Sequence, residues 1–331
     1  MEGKNVKLVT YRSKNSTQRL GFLNDSYIYD AEKTTKYLEG SGSVHVPAEM
    51  IDVLNMDGEG FQQMSKVYGL IPKLRDNIQE LLEKNIGFPQ EQTKILLPFT
   101  PRAIICTGNN YRDHLEEKEI TDDRDQKGGN IEFFQKLSEC VIGPYDPVAH
   151  MPELTEKLDY ENELAVVIGR EAWQVSEEAA RECIFGYTVF NDFSARDRQQ
   201  SAQGCQLLGL SKNFEGCGAM GPCIVTADDF DSPPKVQLIT KVNGEVRQNT
   251  NTDHMINYPA FIISYFSKFF KLKPGYVLLT GTCGGTAWST DPEIGGIPYE
   301  RSDIVRGGYL KPGDKVSCSI EGIGEIRNLI V

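Results

Sequence analysis

Two glutamates stand close together in the segment Leu158–Gly169, which reads Leu-Asp-Tyr-Glu-Asn-Glu-Leu-Ala-Val-Val-Ile-Gly. The apolar, β-branched run that follows them predicts a strand that enters the core. Side chains two residues apart on a strand point to the same face, so Glu161 and Glu163 would present two carboxylates side by side. Two close carboxylates repel, and one takes up a proton unless a cation lies between them. The spacing therefore favours a site for a divalent cation with oxygen ligands: Mg²⁺, Mn²⁺ or Ca²⁺.

A third carboxylate follows the next predicted strand. Asp192 comes just after Gly186–Phe190, and two strands that end near each other would bring it to Glu161 and Glu163. Three carboxylates and water make an open site of the kind that Mg²⁺ uses. Asp192 is equally compatible with a cap of the following turn, residues 194–197. The spacing alone leaves both interpretations open.

A histidine and a glutamate lie three residues apart in the polar run Asn110–Glu117. If that run is helical, His114 and Glu117 share one face. A carboxylate beside an imidazole orients the ring and raises its basicity, which is the usual construction of a general base. Taken alone, however, such a pair is more often an ordinary exposed pair on a charged helix.

Further polar residues lie downstream of Asp192. Arg196 could bind a carboxylate through its forked guanidinium, and Lys212 could polarise a carbonyl near a metal. Each also has a simpler interpretation, because Arg196 could pair with Asp197 at the surface and Lys212 could be solvated. Gln199 lies between them and adds a polar side chain to the same stretch.

A glycine-rich turn follows a predicted strand in Leu278–Thr286, which reads Leu-Leu-Thr-Gly-Thr-Cys-Gly-Gly-Thr. Its backbone N–H groups and hydroxyls could bind a carboxylate, or the segment could be a plain turn between strands. No Gly-Lys-Ser/Thr closes it and no Gly-x-Gly-x-x-Gly opens a helix. A nucleotide cofactor is therefore not expected.

Composition narrows the class of protein. The chain has 331 residues and a formal net charge of −12, without a run of Lys or Arg that could track phosphates. We therefore expect neither a nucleic acid nor an anionic membrane surface as a partner. The eight cysteines never form Cys-x-x-Cys, which favours buried reduced thiols. With no signal-peptide pattern and no apolar run near the roughly 18 residues of a membrane helix, we expect a cytoplasmic location.

The elements that must position these residues are mostly strands. A proline-containing linker at 88–101 suggests a boundary between a small N-terminal α+β domain, residues 1–97, and a second domain, residues 98–331. In the second domain short β-rich runs alternate with glycine-rich turns, and helical patterns are few: 111–119, 176–183 and 259–270. The predicted fold class is mostly β with some α, an α+β fold, and not a doubly wound sheet.

Taken together, the segments after about residue 101 resemble the fumarylacetoacetate hydrolase family as far as residue 331. No single motif is specific, but seven occur in the family's order. They are Gly-Asn-Asn-Tyr-Arg-Asp-His-Leu-Glu-Glu, the Glu-Asn-Glu segment, Gly-Tyr-Thr-Val-Phe-Asn-Asp-Phe-Ser-Ala-Arg-Asp-Arg-Gln, Ser-Lys-Asn-Phe with Met-Gly-Pro-Cys-Ile-Val, Val-Asn-Gly-Glu-Val-Arg-Gln, Leu-Thr-Gly-Thr and Leu-Lys-Pro-Gly-Asp-Lys-Val.

The resemblance implies a catalytic β-roll domain behind the small N-terminal domain, and a homodimer. It implies that three carboxylates bind Mg²⁺, or Mn²⁺ or Ca²⁺: Glu161, Glu163 and Asp192. It implies that the catalytic residues are His114 and Glu117, a water-activating pair on a lid over about 111–140, together with Lys212. The substrate contacts that it implies are Tyr111, Arg196, Gln199 and Thr280.

Three positions depart from the family pattern. The large-chain branch has a fourth metal ligand, an aspartate seven residues before the histidine, where this chain has Thr107. We therefore expect three protein ligands and water. Many relatives have proline after the second threonine of Thr-Gly-Thr, where this chain has Cys-Gly-Gly at 283–285. Many also have Lys-Pro where this chain has Lys136-Leu137. The last two changes bear on the substrate and not on metal binding.

The leading hypothesis is hydrolysis of a carbon–carbon bond in an acylpyruvate, a 1,3-diketo acid. Glu117 would hold His114, His114 would take a proton from water, and the hydroxide would attack the distal carbonyl. The departing pyruvate enolate needs electrostatic stabilisation by the metal and Lys212.

Two alternatives keep the same metal site. They are decarboxylation of an oxaloacetate-type 2-oxo acid and isomerisation of a hydroxymuconate-type dienoate. A third hypothesis is a catalytically silent metal-binding protein, which the full set of metal, base and carbonyl-polarising residues disfavours.

Overall fold

Strands dominate the chain. The computed structural model describes residues 6–13, 17–39, 46–69, 71, 78–117, 127–128, 131–199, 208–297 and 301–331. The strands within these ranges are β1 (Lys7–Arg12), β2 (Arg19–Asn24), β3 (Tyr27–Asp30), β4 (Gly87–Pro89), β5 (Lys94–Ile95), β6 (Ala103–Gly108), β7 (Glu132–Lys136), β8 (Val141–Ile142), β9 (Leu158–Asp159), β10 (Asn162–Ile168), β11 (Ile184–Asp192), β12 (Ser194–Ala195), β13 (Gly218–Thr226), β14 (Gln237–Val242), β15 (Glu245–Asn251), β16 (Tyr276–Leu279), β17 (Lys315–Ile320) and β18 (Gly324–Leu329).

The helices of the described ranges are short. They are α1 (Ala31–Glu39), α2 (Met50–Val53), α3 (Glu59–Tyr68), α4 (Ile78–Glu83), α5 (Arg112–Glu116), α6 (Glu177–Arg181) and α7 (Pro259–Ser267). The last three correspond to the helical patterns expected after residue 98, and each is shorter than its pattern. Residues 118–126, 129 and 130 of the expected lid lie outside the described residues. None of the described helices combines the length and the apolar character that a membrane crossing requires.

One twelve-stranded sheet is the frame of the molecule. Its main order is β4-β3-β2-β1-β13-β11-β10-β16-β6-β7, with β5 added to β1 and β8 added to β13. A second sheet, β15-β14-β17-β18, packs against β13 and β11, and β9 pairs with β12. Strands from the first 97 residues extend the main sheet through the antiparallel β1–β13 pair, in which Leu8 lies opposite Ile224. The expected domain boundary near residue 97 stays a prediction.

The central strand β10 is buried on both faces. Successive side chains alternate between two hydrophobic clusters: Leu164 and Val166 belong to one cluster, and Ala165 and Val167 belong to the other. Full burial of one such Val or Leu side chain stabilises the fold by about 1.5–3 kcal/mol. Because a shift of one residue would exchange the two faces, this packing fixes the register of the strand.

The register between β10 and β11 brings acidic residues to one face. Glu163 lies opposite Phe190, and Asn162 lies opposite Asn191. Asp192 is two residues beyond Phe190 and therefore on the same face of the sheet as Glu163. The ends of these two strands are the place where the site is built.

We expect Gly186→Ala to lower the melting temperature by several degrees. Gly186 lies in the middle of the main sheet, and a Cβ there would be 2.2 Å from the Val225 carbonyl oxygen. Overpacking of this kind costs about 1–3 kcal/mol. Gly308→Ala is the control, because nothing lies within 4 Å of a Cβ at that exposed glycine. Equal melting temperatures in calorimetry would contradict this packing.

Candidate active site

Three buried carboxylates meet at the ends of β10 and β11. One oxygen each of Glu161, Glu163 and Asp192 lie within 4.8 Å of one another, and none of the three residues is more than 5% exposed. The backbone N–H of Asp192 donates to the Glu161 carbonyl at 2.8 Å and joins the two strand ends. The structure thus brings together the residues that the sequence pattern indicated as metal ligands.

Buried cations surround two of these carboxylates. Lys212 Nζ donates to Glu161 Oε2 and, at 2.8 Å, to Asp192 Oδ2. Lys136 Nζ donates to Asp192 Oδ1 and, at 2.7 Å, to the Lys212 carbonyl. The Arg196 guanidinium donates to Glu161 Oε1. Burial alone would raise the pKa of Glu161, but Arg196 and Lys212 hold it well below its usual value. Glu161 is therefore kept in its charged form.

Glu163 differs from its two neighbours. In the described part of the chain no Lys, Arg or His nitrogen forms an ion pair with it. Its Oε2 accepts instead from the backbone N–H of Gly281 at 2.6 Å. Burial, and then the charges of Asp192 and Glu161, raise the pKa of Glu163 well above its usual value. Glu163 and its two neighbours together form a set of oxygen donors in which one carboxylate has no ion-pair partner among the described residues. A hard divalent ion bound between the three would supply the missing positive charge. The three carboxylates therefore fit a metal such as Mg²⁺ or Mn²⁺.

His114 and Glu117 face each other across one turn at α5. His114 Nδ1 lies 3.3 Å from Glu117 Oε2, and both residues are at most 2% exposed. The His114 ring packs edge-on against Trp288, with ring centroids 6.3 Å apart. The pair is therefore buried, unlike the exposed helix pair that its spacing also allowed. An imidazole with an oriented carboxylate at Nδ1 is suited to move a proton at Nε2.

The glycine-rich turn after β16 binds carboxylates of the protein itself. The Gly281 N–H donates to Glu163, and the Gly285 N–H donates to Glu117. One short segment therefore contacts both the acidic cluster and the histidine–glutamate pair. At Gly285 φ is +98°, and a Cβ would lie 2.0 Å from the Arg247 carbonyl oxygen, so only glycine fits there. The sequence left open whether this turn binds a carboxylate; it does, and both carboxylates belong to the chain.

Asp159 in β9 connects the two halves of the site. Its Oδ2 accepts from Arg196 Nε at 2.8 Å and from the backbone N–H of Trp288 at 3.1 Å. Arg196 binds Glu161 on the acidic side, and Trp288 packs against His114 on the other side. Because Asp159 is fully buried, this hydrogen-bond network holds both sides in one geometry.

A cleft opens over these groups. Its cavity volume is about 30 Å³, which is room for about two water molecules. Gln199 is 7% exposed, and its Nε2 has no hydrogen-bond partner among the described residues, so it can donate to a ligand. The expected site residues in the lining are His114, Glu161, Glu163, Arg196, Gln199 and Lys212.

The other expected site residues are not among the described residues that line the cleft. Glu117 and Asp192 support residues that face the cleft. Thr280 Oγ1 donates to a backbone carbonyl of β10 at 2.9 Å, while Thr282 faces the cleft. Tyr111 is fully buried, and its hydroxyl has no partner in the described ranges. Substrate contacts by Thr280 and Tyr111 stay predictions.

Three residues of the site were not predicted from the sequence as site residues. Lys136 and Glu132 come from β7, where Glu132 lines the cleft and Lys136 is buried against Asp192. The period-two alternation of β7 could have placed both side chains on one face. Asp159 carried no signal beyond its position two residues before Glu161.

Thr107 occupies the position where the large-chain branch has its fourth metal ligand. Its hydroxyl donates to the Leu279 carbonyl at 3.0 Å. The Thr107 hydroxyl therefore bonds to the backbone of a neighbouring strand. This is in keeping with a metal site of three protein carboxylates.

We expect Mg²⁺ or Mn²⁺ to raise the melting temperature of the metal-free chain, and to raise that of Glu163→Gln far less. A ligand at one hundred times its Kd stabilises the folded state by about 2.7 kcal/mol, and the substitution removes one charged ligand of three. Thermal unfolding against metal concentration measures the effect. Glu178→Gln, which neutralises an exposed carboxylate, is the control and should respond like the unmodified chain. An equal rise in Glu163→Gln would show that the metal binds elsewhere.

Comparison with known proteins agrees with the motifs. The family model for the fumarylacetoacetate hydrolase C-terminal domain matches residues 103–331. The mitochondrial oxaloacetate tautomerase of Xenopus laevis is 34% identical over 287 residues, which are 86% of this chain and 79% of that protein. A fumarylacetoacetate hydrolase from Exiguobacterium antarcticum has a similar structure, with a TM-score of 0.71, 28% identity and coverage of 98% of this chain and 99% of that chain.

A maleylpyruvate hydrolase from Sphingobium, solved with manganese and pyruvate, shares the fold. Its TM-score is 0.66 at 23% identity, covering 98% of each chain. These matches confirm the expected fold class, a mostly β structure with few helices. The chain belongs to the fumarylacetoacetate hydrolase family.

Proposed function

We propose that the chain is a divalent-metal-dependent enzyme that catalyses the enol–keto tautomerisation of oxaloacetate or a similar short 2-oxo dicarboxylic acid. The observation that carries the proposal is the buried His114–Glu117 pair, whose imidazole lines the same cleft as Glu161 and Glu163. The 34% identity to the Xenopus oxaloacetate tautomerase supports this substrate.

The reaction moves one proton between oxygen and carbon. In the enol-to-keto direction the C2 hydroxyl loses its proton, C3 gains a proton, and no bond to water forms. His114 carries the proton at C3. Glu117 holds the ring through Nδ1 and stabilises it while it is charged.

Negative charge develops on the C2 oxygen as the proton leaves. A metal bound by Glu161, Glu163 and Asp192 would supply a Lewis acid for the oxygens of the 2-oxo acid. Lys212 and Gln199 line the cleft and add N–H donors from the protein. Donors fixed in advance by buried partners stabilise such charge better than mobile water does.

Carbon–carbon bond hydrolysis of an acylpyruvate is the second candidate. It is supported by the 28% identity to the Exiguobacterium fumarylacetoacetate hydrolase, and the same imidazole can act on water. In this reaction His114 takes a proton from water and the hydroxide adds to the distal carbonyl. The carbon–carbon bond then breaks, its electron pair stays on the pyruvate fragment as an enolate, and a proton completes that fragment.

The location and assembly of the chain also remain proposals. The Xenopus relative is named as mitochondrial, so a cytoplasmic location needs direct imaging. A homodimer without nucleic-acid or membrane partners is the assembly that we propose, and light scattering coupled to gel filtration measures it.

A panel of three substrates separates the candidate reactions. We expect oxaloacetate with Mg²⁺ to lose its enol absorbance faster than the uncatalysed rate, without release of CO₂. An acylpyruvate and fumarylpyruvate should be cleaved slowly or not at all. Stoichiometric CO₂ from oxaloacetate would identify a decarboxylase, and rapid formation of pyruvate from an acylpyruvate would identify a hydrolase. Either result would contradict the tautomerase proposal.

His114→Ala should lose about 10²–10⁴-fold in kcat, the usual contribution of a general acid–base. The metal-induced rise in melting temperature should persist, because His114 is not among the proposed ligands. His254→Ala is the control, since that side chain is 62% exposed. Full activity in His114→Ala would remove the assigned proton carrier.

A further inference from the structure

Helix α5 carries His114 but is too short to hold itself in place. It spans Arg112–Glu116, five residues, whereas isolated helices below about 12–15 residues are marginal in water. Contacts to other segments must therefore set its position. Before the helix, Asn110 Nδ2 donates to the Thr280 carbonyl at 2.7 Å. After it, Glu117 accepts the Gly285 N–H.

Asp113, the neighbour of His114, holds the helix between these two ends. Asp113 is 8% exposed, and Arg301 Nη1 donates to its Oδ2 at 3.1 Å. Within the described ranges Arg301 is the one cation that forms an ion pair with Asp113. The other oxygen, Oδ1, has no hydrogen-bond partner there. A buried carboxylate that loses its cation becomes unfavourable where it lies, so Arg301 holds Asp113 here together with the backbone N–H of Gly284.

Arg301 is itself anchored on its opposite side. Its Nη2 donates to the Asn249 carbonyl at 2.5 Å and to Asp303 at 2.6 Å, and its Nε donates to Asp303 at 3.0 Å. Asn249 belongs to β15, and its side chain also binds Asp303, at 2.9 Å. The planar guanidinium therefore bridges α5 and β15 with several N–H groups, which a lysine could reproduce only in part.

We infer that Arg301 is a positioning residue for the histidine–glutamate pair: it holds Asp113, and through it α5 and His114, against β15. The inference rests on the proposed function, because it gives Arg301 a role in the proton transfer by His114. Arg301 is not in the described lining of the cleft, so it acts through Asp113 and not on the substrate. Displacement of a reacting group by about 1 Å can lower a rate about 100-fold.

Arg301→Gln tests this inference with two independent readouts. We expect kcat to fall about 10–100-fold while KM changes less than about twofold, with Arg301→Lys recovering part of the loss. Hydrogen exchange of the peptide 111–117 should become faster in the same variant. The metal-induced rise in melting temperature should stay unchanged, which separates a displaced helix from a damaged fold. Arg327→Gln is the matched control, because Arg327 pairs with Glu325 at an exposed surface.

A double variant tests the route through Asp113. Asp113→Asn removes the charge that Arg301 neutralises, so adding Arg301→Gln should lower kcat little further. A full multiplicative loss in the double variant would overturn the inference. So would unchanged kcat, or unchanged exchange of peptide 111–117, in Arg301→Gln.

The proposed function can fail separately. If the unmodified chain turns over no 2-oxo acid, the tautomerase proposal falls. Hydrogen exchange then decides the inference alone: faster exchange of peptide 111–117 in Arg301→Gln supports Arg301 as the residue that positions α5, and unchanged exchange overturns it.

Discussion

Neutralisation of buried negative charge is the constraint on which this site depends. Three carboxylates within 4.8 Å of one another would each face a penalty of several kcal/mol for burial without a partner. Lys136, Lys212 and Arg196 meet that requirement for Asp192 and Glu161. The third carboxylate, Glu163, is left with a backbone N–H. The fold therefore provides a place for one more cation, beside Glu163.

The segments that satisfy these charges also hold the His114–Glu117 pair. The turn at 281–285 gives one N–H to Glu163 and another to Glu117. Asp159 binds both Arg196 and the backbone beside the ring that packs on His114. The acidic side and the imidazole side of the cleft thus share their supports. Catalytic groups that are fixed in this way need little rearrangement during the reaction.

The proposed set of catalytic groups suits more than one reaction. Tautomerisation, decarboxylation and carbon–carbon hydrolysis all place negative charge on the oxygen at C2 of a 2-oxo acid. They differ in what the imidazole acts on and in whether water reaches the substrate carbon. The donor set is therefore the basis for proposing a 2-oxo acid as substrate, and it does not choose among these reactions. Glu132, which lines that cleft, adds a negative charge that the sequence motifs did not indicate.

Local patterns predicted the parts of the site that depend on local geometry. The period of a strand put Glu161 near Glu163, and the three-residue spacing paired His114 with Glu117. The contact between Lys136 and Asp192 could not be predicted in this way. The two are 56 positions apart, and their contact depends on the order β11-β10-β16-β6-β7 in the sheet. Long-range strand order is set by packing of the whole core, which a single sequence does not reveal.

The orientation of the glycine-rich turn was unpredictable for the same reason. Its motif indicated a carboxylate-binding segment, but whether the carboxylate came from a ligand or from the chain depended on where α5 packs. Likewise, the direction of the Thr280 hydroxyl, toward β10, follows from the pairing of β16 with β10.

Crystals of the metal-free chain soaked in Mn²⁺ provide the most direct test of the central claim. An anomalous-scattering map should show one strong peak between the oxygens of Glu161, Glu163 and Asp192, and no such peak in Glu163→Gln. A map with no peak there, with the three carboxylates turned apart, would contradict the account.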